Sequence, residues 1–137
     1  AGKGNRLNRM TTMEKLTAYA PLVGRVLMAV LFLIAGVGKI SDVAGFTGFL
    51  TSGGLPAFLA WPTIIFEFAV AASLILGFQV RIMAVLAAGF CLVSGLLYHF
   101  NPADQMAMTM FFKNVALAGG FLFVFAHGAG AVALDKR

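Results

Sequence analysis

Apolar residues fill four long stretches of the chain, roughly Tyr19 to Gly38, Ala57 to Gly77, Ile82 to Tyr98 and Met106 to Ala126, and the polar residues gather between them. Each stretch comes near the roughly 20 residues that a helix needs to cross a hydrocarbon layer about 30 Å thick. The apolar residues run on without alternating with polar ones, which discards a closed β-barrel, the other structure that satisfies its backbone within lipid. The pattern predicts an all-α integral membrane protein with spans at about 19–39, 57–77, 81–100 and 105–127, joined by short connections into an up-down-up-down bundle.

The polar gaps predict the joints. Ile40 to Pro56 is the longest, and Val43, Phe46, Phe49 and Leu50 recur in it at helical spacing. A short amphipathic helix in the interface fits, ended by Gly53-Gly54-Leu55-Pro56. Gly77-Phe78-Gln79 predicts a tight turn on the other side, and Asn101-Pro102-Ala103-Asp104 a second turn, with Asp104 as N-cap of the fourth helix. His127-Gly128-Ala129-Gly130 is expected to end that helix. Residues 1 to 18 are polar and basic and read as a flexible tail before a transmembrane domain at 19–135, with Met10 and Met13 as candidate natural starts. Ala69 and Ser73, Ser73 and Gly77, Ala84 and Ala88, and Ala116 and Gly120 stand four apart, a spacing that lets neighbouring helix backbones approach closely.

Composition agrees with the membrane reading: 61% hydrophobic residues, 11% charged and a mean hydropathy of +0.94 are not those of a soluble globule. Basic residues precede the first span as in a secretory signal. The span is longer than a signal's apolar core, however, and Ala35-Gly36-Val37-Gly38-Lys39 is a poor cleavage site, so it is expected to remain in the mature chain. Cys91 is the single cysteine. Without a disulfide or a CxxC pair, redox chemistry would have to come from a cofactor or a partner. Lys3, Arg6, Arg9, Lys15, Arg25, Arg81, Lys136 and Arg137 fall on the side of the two termini, against Lys39 at the opposite edge and Lys113 inside the fourth span. The excess predicts cytoplasmic termini.

Glu67 is the one acid within a span, where a charge costs at least about 2.5 kcal/mol and normally finds partners inside the bundle. The candidate partners are Arg25, Lys39, Arg81, His99 and Lys113. Helical geometry places Arg25, Phe32 and Lys39 on one stripe of the first span. Arg81, Ala88, Gly95 and His99 share a second, and Lys113, Gly120 and His127 a third. Counted at about 1.5 Å per residue, Glu67 and Lys113 differ by only about 5 Å in height. An outer-half cluster of Glu67, Lys113, Asn114, His99 and Lys39 is therefore expected as a ligand-binding or proton-relay site. Arg25 and Arg81 are expected as anchors that snorkel to lipid phosphates at the cytoplasmic side. The plainer alternatives are a structural ion pair, itself weak evidence for stability, and an interfacial histidine; beside a carboxylate, His99 would be able to pass protons.

One acid cannot neutralise several bases, so such a cluster would keep positive potential and free donors, suited to an anion, a lipid head group or the carbonyls of a quinone. HExxH, GxxxxGK[ST] and GxSxG signatures are absent, so the sequence carries no self-contained catalytic, metal or nucleotide motif. Its basic excess belongs to membrane topology rather than to nucleic-acid binding.

Arg25 opening span one, the Ala35-Gly36-Val37-Gly38-Lys39 exit, Gly54-Leu55-Pro56, Glu67, Gly77-Phe78-Gln79-Val80-Arg81, His99, and His127-Gly128-Ala129-Gly130 with Ala133-Leu134-Asp135 together resemble the DoxX family of small four-helix bacterial membrane proteins, over about residues 22 to 135. Ala129 and Ala133 stand where the family's usual ending has proline and serine. The resemblance implies an inner-membrane location and marks Lys39, Glu67, Arg81 and His99 as family-like polar positions. The family takes its name from a subunit of a thiosulfate-to-quinone oxidoreductase. It thus implies a non-catalytic or accessory subunit of a quinone-linked redox or respiratory complex, with no intrinsic cofactor, a quinone or lipid as ligand, and membrane lipids and a larger membrane complex as partners. A small anion or proton-linked transporter and a purely structural subunit are the alternatives. Transport by inverted repeats is disfavoured, since Pro62 of span two has no counterpart in span four.

Overall fold

The computed structural model describes Arg9 and residues 11 to 135. Helix α1 (Thr12–Ser41) is followed by the short α2 (Val43–Ser52), a 3-10 turn (Ala57–Leu59) running into α3 (Ala60–Leu76), then α4 (Val80–Tyr98) and α5 (Gln105–His127). There is no strand among the described residues. Helices α1, α4 and α5, and α3 together with the 3-10 turn before it, are long and apolar enough to cross a membrane. The short helix predicted between the first two spans is present as α2.

The first span begins earlier than its hydropathy predicts. Residues 12 to 18, expected in the tail, form the first two turns of α1. The Thr11 hydroxyl accepts from the Glu14 amide at 3.1 Å, and threonine followed three residues later by glutamate is the capping-box pattern that starts a helix whatever its polarity. Residues 1 to 8 and Met10, to which the rest of the tail reading applies, lie outside the described residues, as do Lys136 and Arg137. The predicted joints are where the spacing puts them. Gly77 and Gln79 adopt left-handed backbone at the turn into α4, and the Asp104 carboxylate accepts from the amides of Met106 and Ala107 at the start of α5.

The four spans pack as two antiparallel hairpins. Helix α1 lies along α3 and α4 along α5, while α3 and α4 touch sparsely. Close approach within each hairpin depends on glycine: a Cβ added at Gly36 of α1 would fall 2.9 Å from the Phe68 ring of α3, and one at Gly95 of α4 would fall 3.3 Å from Asn114 of α5. Of the four-apart pairs, Ser73 with Gly77 and Ala84 with Ala88 are buried, whereas Ala69 and Ala116 are exposed and form no tight face. Phe32 of α1 joins the hairpins, with its ring 5.6 Å from that of Phe121 and 6.5 Å from that of Phe90, which also meets Phe66 at 5.3 Å. Ala29, Leu74, Ala84, Ala88 and Ala118 fill the core around and below this aromatic layer, toward the end that carries both termini.

At that end the chain after α5 folds back as a strap. Leu134 and Asp135 donate their amides to the carbonyls of Leu76 and Gly77 at 3.1 and 2.8 Å. The Asp135 carboxylate accepts from the Gln79 and Val80 amides at 2.7 and 3.0 Å. It thereby satisfies donors that the first turn of α4 leaves without intrahelical partners. Arg25, expected as a lipid-facing anchor, is 2% exposed. Its guanidinium donates to the Leu74 carbonyl at 2.8 Å and to the Val132 carbonyl of the strap. Arg25 is a clamp joining α1, α3 and the strap, because the last turn of α3 leaves carbonyls without intrahelical partners. Arg81 is exposed, and its guanidinium lies against Gly128 at the start of the strap.

Candidate functional site

Helical period decides which way Glu67 faces. Ile64, Glu67, Val70, Ala71 and Leu74 are the buried positions of α3, three or four apart, so the carboxylate is carried into the bundle by the same stripe that carries the core. It is 1% exposed. Its partner is Lys39, whose Nζ lies 2.9 Å from Oε1 and donates to Oε2 at 3.2 Å. Lys39 closes the Arg25, Phe32 and Lys39 stripe of α1, which faces α3, and its ammonium also sits 5.2 Å from the centroid of the Phe46 ring of α2. Lys113, the expected partner, makes no ion pair among the described residues. Equal height was not enough: Lys113 is on α5, which packs along α4, while α3 packs along α1.

On the opposite wall, Asn114 donates to the Cys91 carbonyl at 3.1 Å and to Ser94 Oγ at 3.3 Å, bolting α5 to α4. Its amide nitrogen is used in joining helices. His99 caps the C-terminal end of α4 and is half-buried. Burial, and then the nearby Lys113 ammonium, hold its imidazole below the usual histidine range. Tyr98, which the sequence did not single out, donates its hydroxyl to the Leu50 carbonyl at 2.6 Å and stacks on Phe49 with ring centroids 4.7 Å apart. It fastens α2 over this end of the bundle. An aromatic ring at the last residue of a span was the available signal, since amphipathic rings sit at that depth.

Between the two walls lies a cavity of about 570 Å³, within the roughly 300–1,000 Å³ of ordinary small-molecule sites. Phe32 and Phe90 line its floor, and Phe46, Phe49 and Leu50 of α2 line its roof. Leu31, Phe66 and Leu117 make its middle apolar. Lys39, Glu67, His99, Lys113 and Asn114 all border it, so the structure brings the five expected residues of the outer cluster around one space. Arg25 and Arg81 belong to the other end. Within the cavity wall the carboxylate is matched by Lys39, Asn114 is engaged, and Lys113 remains a cationic donor beside His99. Such a wall can hold a molecule with an apolar body and an oxygen acceptor or negative charge at one end. No group of three metal-ligating side chains occurs among the described residues.

The family model described as DoxX matches residues 20–100. The chain is 38% identical over 124 residues to the inner membrane protein YqjF of Escherichia coli (strain K12), an alignment covering 90% of this chain and 95% of that one. It is 31% identical over 123 residues to the inner membrane protein YphA of the same organism, covering 85% and 88%. No solved structure matches.

Proposed function

The chain belongs to the DoxX family, and from that premise we propose that it is an inner-membrane subunit that holds a quinone-type molecule in its cavity and is accessory to a quinone-linked redox or respiratory complex. The observation that carries this reading is the cavity itself: apolar through its middle, with the Lys113 ammonium, which makes no ion pair among the described residues, and a half-buried imidazole at one end. A quinone has a flat apolar ring whose only strong polar atoms are carbonyl oxygens, and Lys113 is a donor to such an oxygen. Lys39 and Glu67 contribute a wall that is polar without net charge. The electron carrier belongs to the partner in this reading, since the chain's own side chains supply none. The names of the two E. coli relatives support the inner membrane, and the excess of Lys and Arg on the side of the termini supports a cytoplasmic position for both.

The experiment is to purify the full chain in mild detergent from membranes of its own host, identify the proteins that come with it and extract its lipids. The expected result is a flavin-, haem- or metal-bearing partner together with bound quinone, and a lowered quinone-linked respiration rate with Glu67→Gln. Recovery of neither partner nor quinone, with respiration unchanged in Glu67→Gln, would overturn the reading. A structural subunit is the second reading, favoured by Arg25 and Asn114, which bind carbonyls of neighbouring segments. It predicts that Glu67→Gln changes assembly and leaves turnover per assembled complex as it was.

A further inference from the structure

Leu86, Gly89, Val93 and Leu97 of α4 line the cavity, and all four are also exposed on the outside of the bundle. They are three or four apart and so form one line along the helix. A residue that borders an interior space and is open to the outside marks the rim of an opening. Thr63, Phe66 and Glu67 of α3 line the same cavity, and α3 and α4 touch only sparsely. Gly89 stands midway along α4, and a Cβ built there would meet nothing within 4 Å. Midway along a spanning helix is the depth of hydrocarbon chains, so this opening faces lipid and not water. The end of the cavity nearer the aqueous phase is covered by α2, held down by the Tyr98 hydrogen bond to Leu50.

We propose that the cavity is loaded sideways from the bilayer, through the gap between α3 and α4 at Gly89, by a long-chain amphiphile whose oxygen-bearing head reaches Lys113 while its hydrocarbon chain stays in the gap. The proposal rests on the reading that the cavity binds a quinone-type head, and adds the route and the need for a chain. Four apolar rim residues suit a chain that never leaves lipid. A head that carries oxygen acceptors gains in reaching the ammonium, which has no carboxylate partner among the described residues. A quinone with its side chain and a fatty acid share this chemistry.

The test uses the full chain in lipid vesicles and three photoreactive probes: a benzoquinone with a long alkyl chain, the same ring without the chain, and a fatty acid. Labelling of cavity residues is read by mass spectrometry for the wild type, Gly89→Ala and Gly89→Trp. Because a Cβ at position 89 meets open space, Gly89→Ala keeps wild-type labelling, and Gly89→Trp fills the mouth without displacing a packed neighbour. The expected result is that Gly89→Trp lowers labelling by the chain-bearing quinone about tenfold, equivalent to about 1.4 kcal/mol, and lowers labelling by the chainless ring less, since that ring loses the route but has no chain to seat in the gap. Equal labelling of wild type and Gly89→Trp by the chain-bearing quinone overturns the sideways route, and an equal fall for both quinone probes overturns the need for a chain, while the quinone reading stands in both cases. Labelling by the fatty acid alone, still blocked by Gly89→Trp, keeps the route and overturns the quinone. If no probe labels the wild-type cavity, both fail.

Discussion

Lys39 and Glu67, 28 residues apart in sequence, close a two-point ion pair with Nζ 2.9 Å from Oε1 and 3.2 Å from Oε2, tying the last turn of α1 to the middle of α3. Removing one member of a buried pair leaves the other charge without compensation and costs about 3–5 kcal/mol, whereas replacing both by apolar groups is often close to neutral. Lys39→Met alone should therefore lower the thermal midpoint in detergent markedly, and the double substitution Lys39→Met with Glu67→Met should recover most of the loss. A double variant as unstable as the single one would show that the pair is not what Glu67 depends on.

Arg25 should matter more to the end that carries the termini than its position on α1 suggests. Its hydrogen bonds to the Leu74 and Val132 carbonyls are of the charged kind, each contributing about 1.5–3 kcal/mol. Arg25→Met is expected to release the strap, seen as faster hydrogen exchange at the Leu134 and Asp135 amides with the exchange of α5 unchanged. Uniform acceleration over the whole chain would mean that Arg25 supports the fold in general and the strap only incidentally.

Tyr98→Phe removes one hydroxyl and keeps the ring stacked on Phe49. The lost hydrogen bond to Leu50 is worth about 0.5–1.5 kcal/mol. Amides of α2 should exchange several-fold faster while those of α4 hold, provided this bond is what seats α2 on the cavity. Unchanged exchange in α2 would assign its seating to apolar contact alone.

For His99, burial is the larger cause of its lowered pKa and the Lys113 ammonium the smaller. Lys113→Gln removes only the second. The imidazole pKa, followed by NMR in micelles, should then rise toward the usual value of about 6.5 without reaching it. No movement would place Lys113 too far from His99 to act on the same bound molecule.

Much of the fold was legible because hydropathy and turn chemistry act locally. The four spans, the interfacial helix and the Asp104 cap each depend on residues close together in sequence. The start of α1 was missed because its first two turns are polar, although Thr11 and Glu14 carried the signal. What local pattern does not encode is which spans are neighbours. Height along the membrane pointed from Glu67 to Lys113, but the pair formed with Lys39, because α3 shares its long face with α1. Arg25 was misread for a related reason: one of its partners is a strap carbonyl 107 residues away, and backbone acceptors have no sequence signature. The members of the outer cluster were legible as a group because depth counted along each span puts them in one half of the bundle.

Whether the cavity takes a quinone at Lys113 is the central question. Binding of a short-chain benzoquinone to the wild-type chain and to Lys113→Met in nanodiscs, measured against empty nanodiscs, decides it. Saturable binding by the wild type is expected, weakened about tenfold by loss of the ammonium, a difference of about 1.4 kcal/mol. Uptake that never saturates and is the same for wild type, Lys113→Met and empty nanodiscs would contradict it.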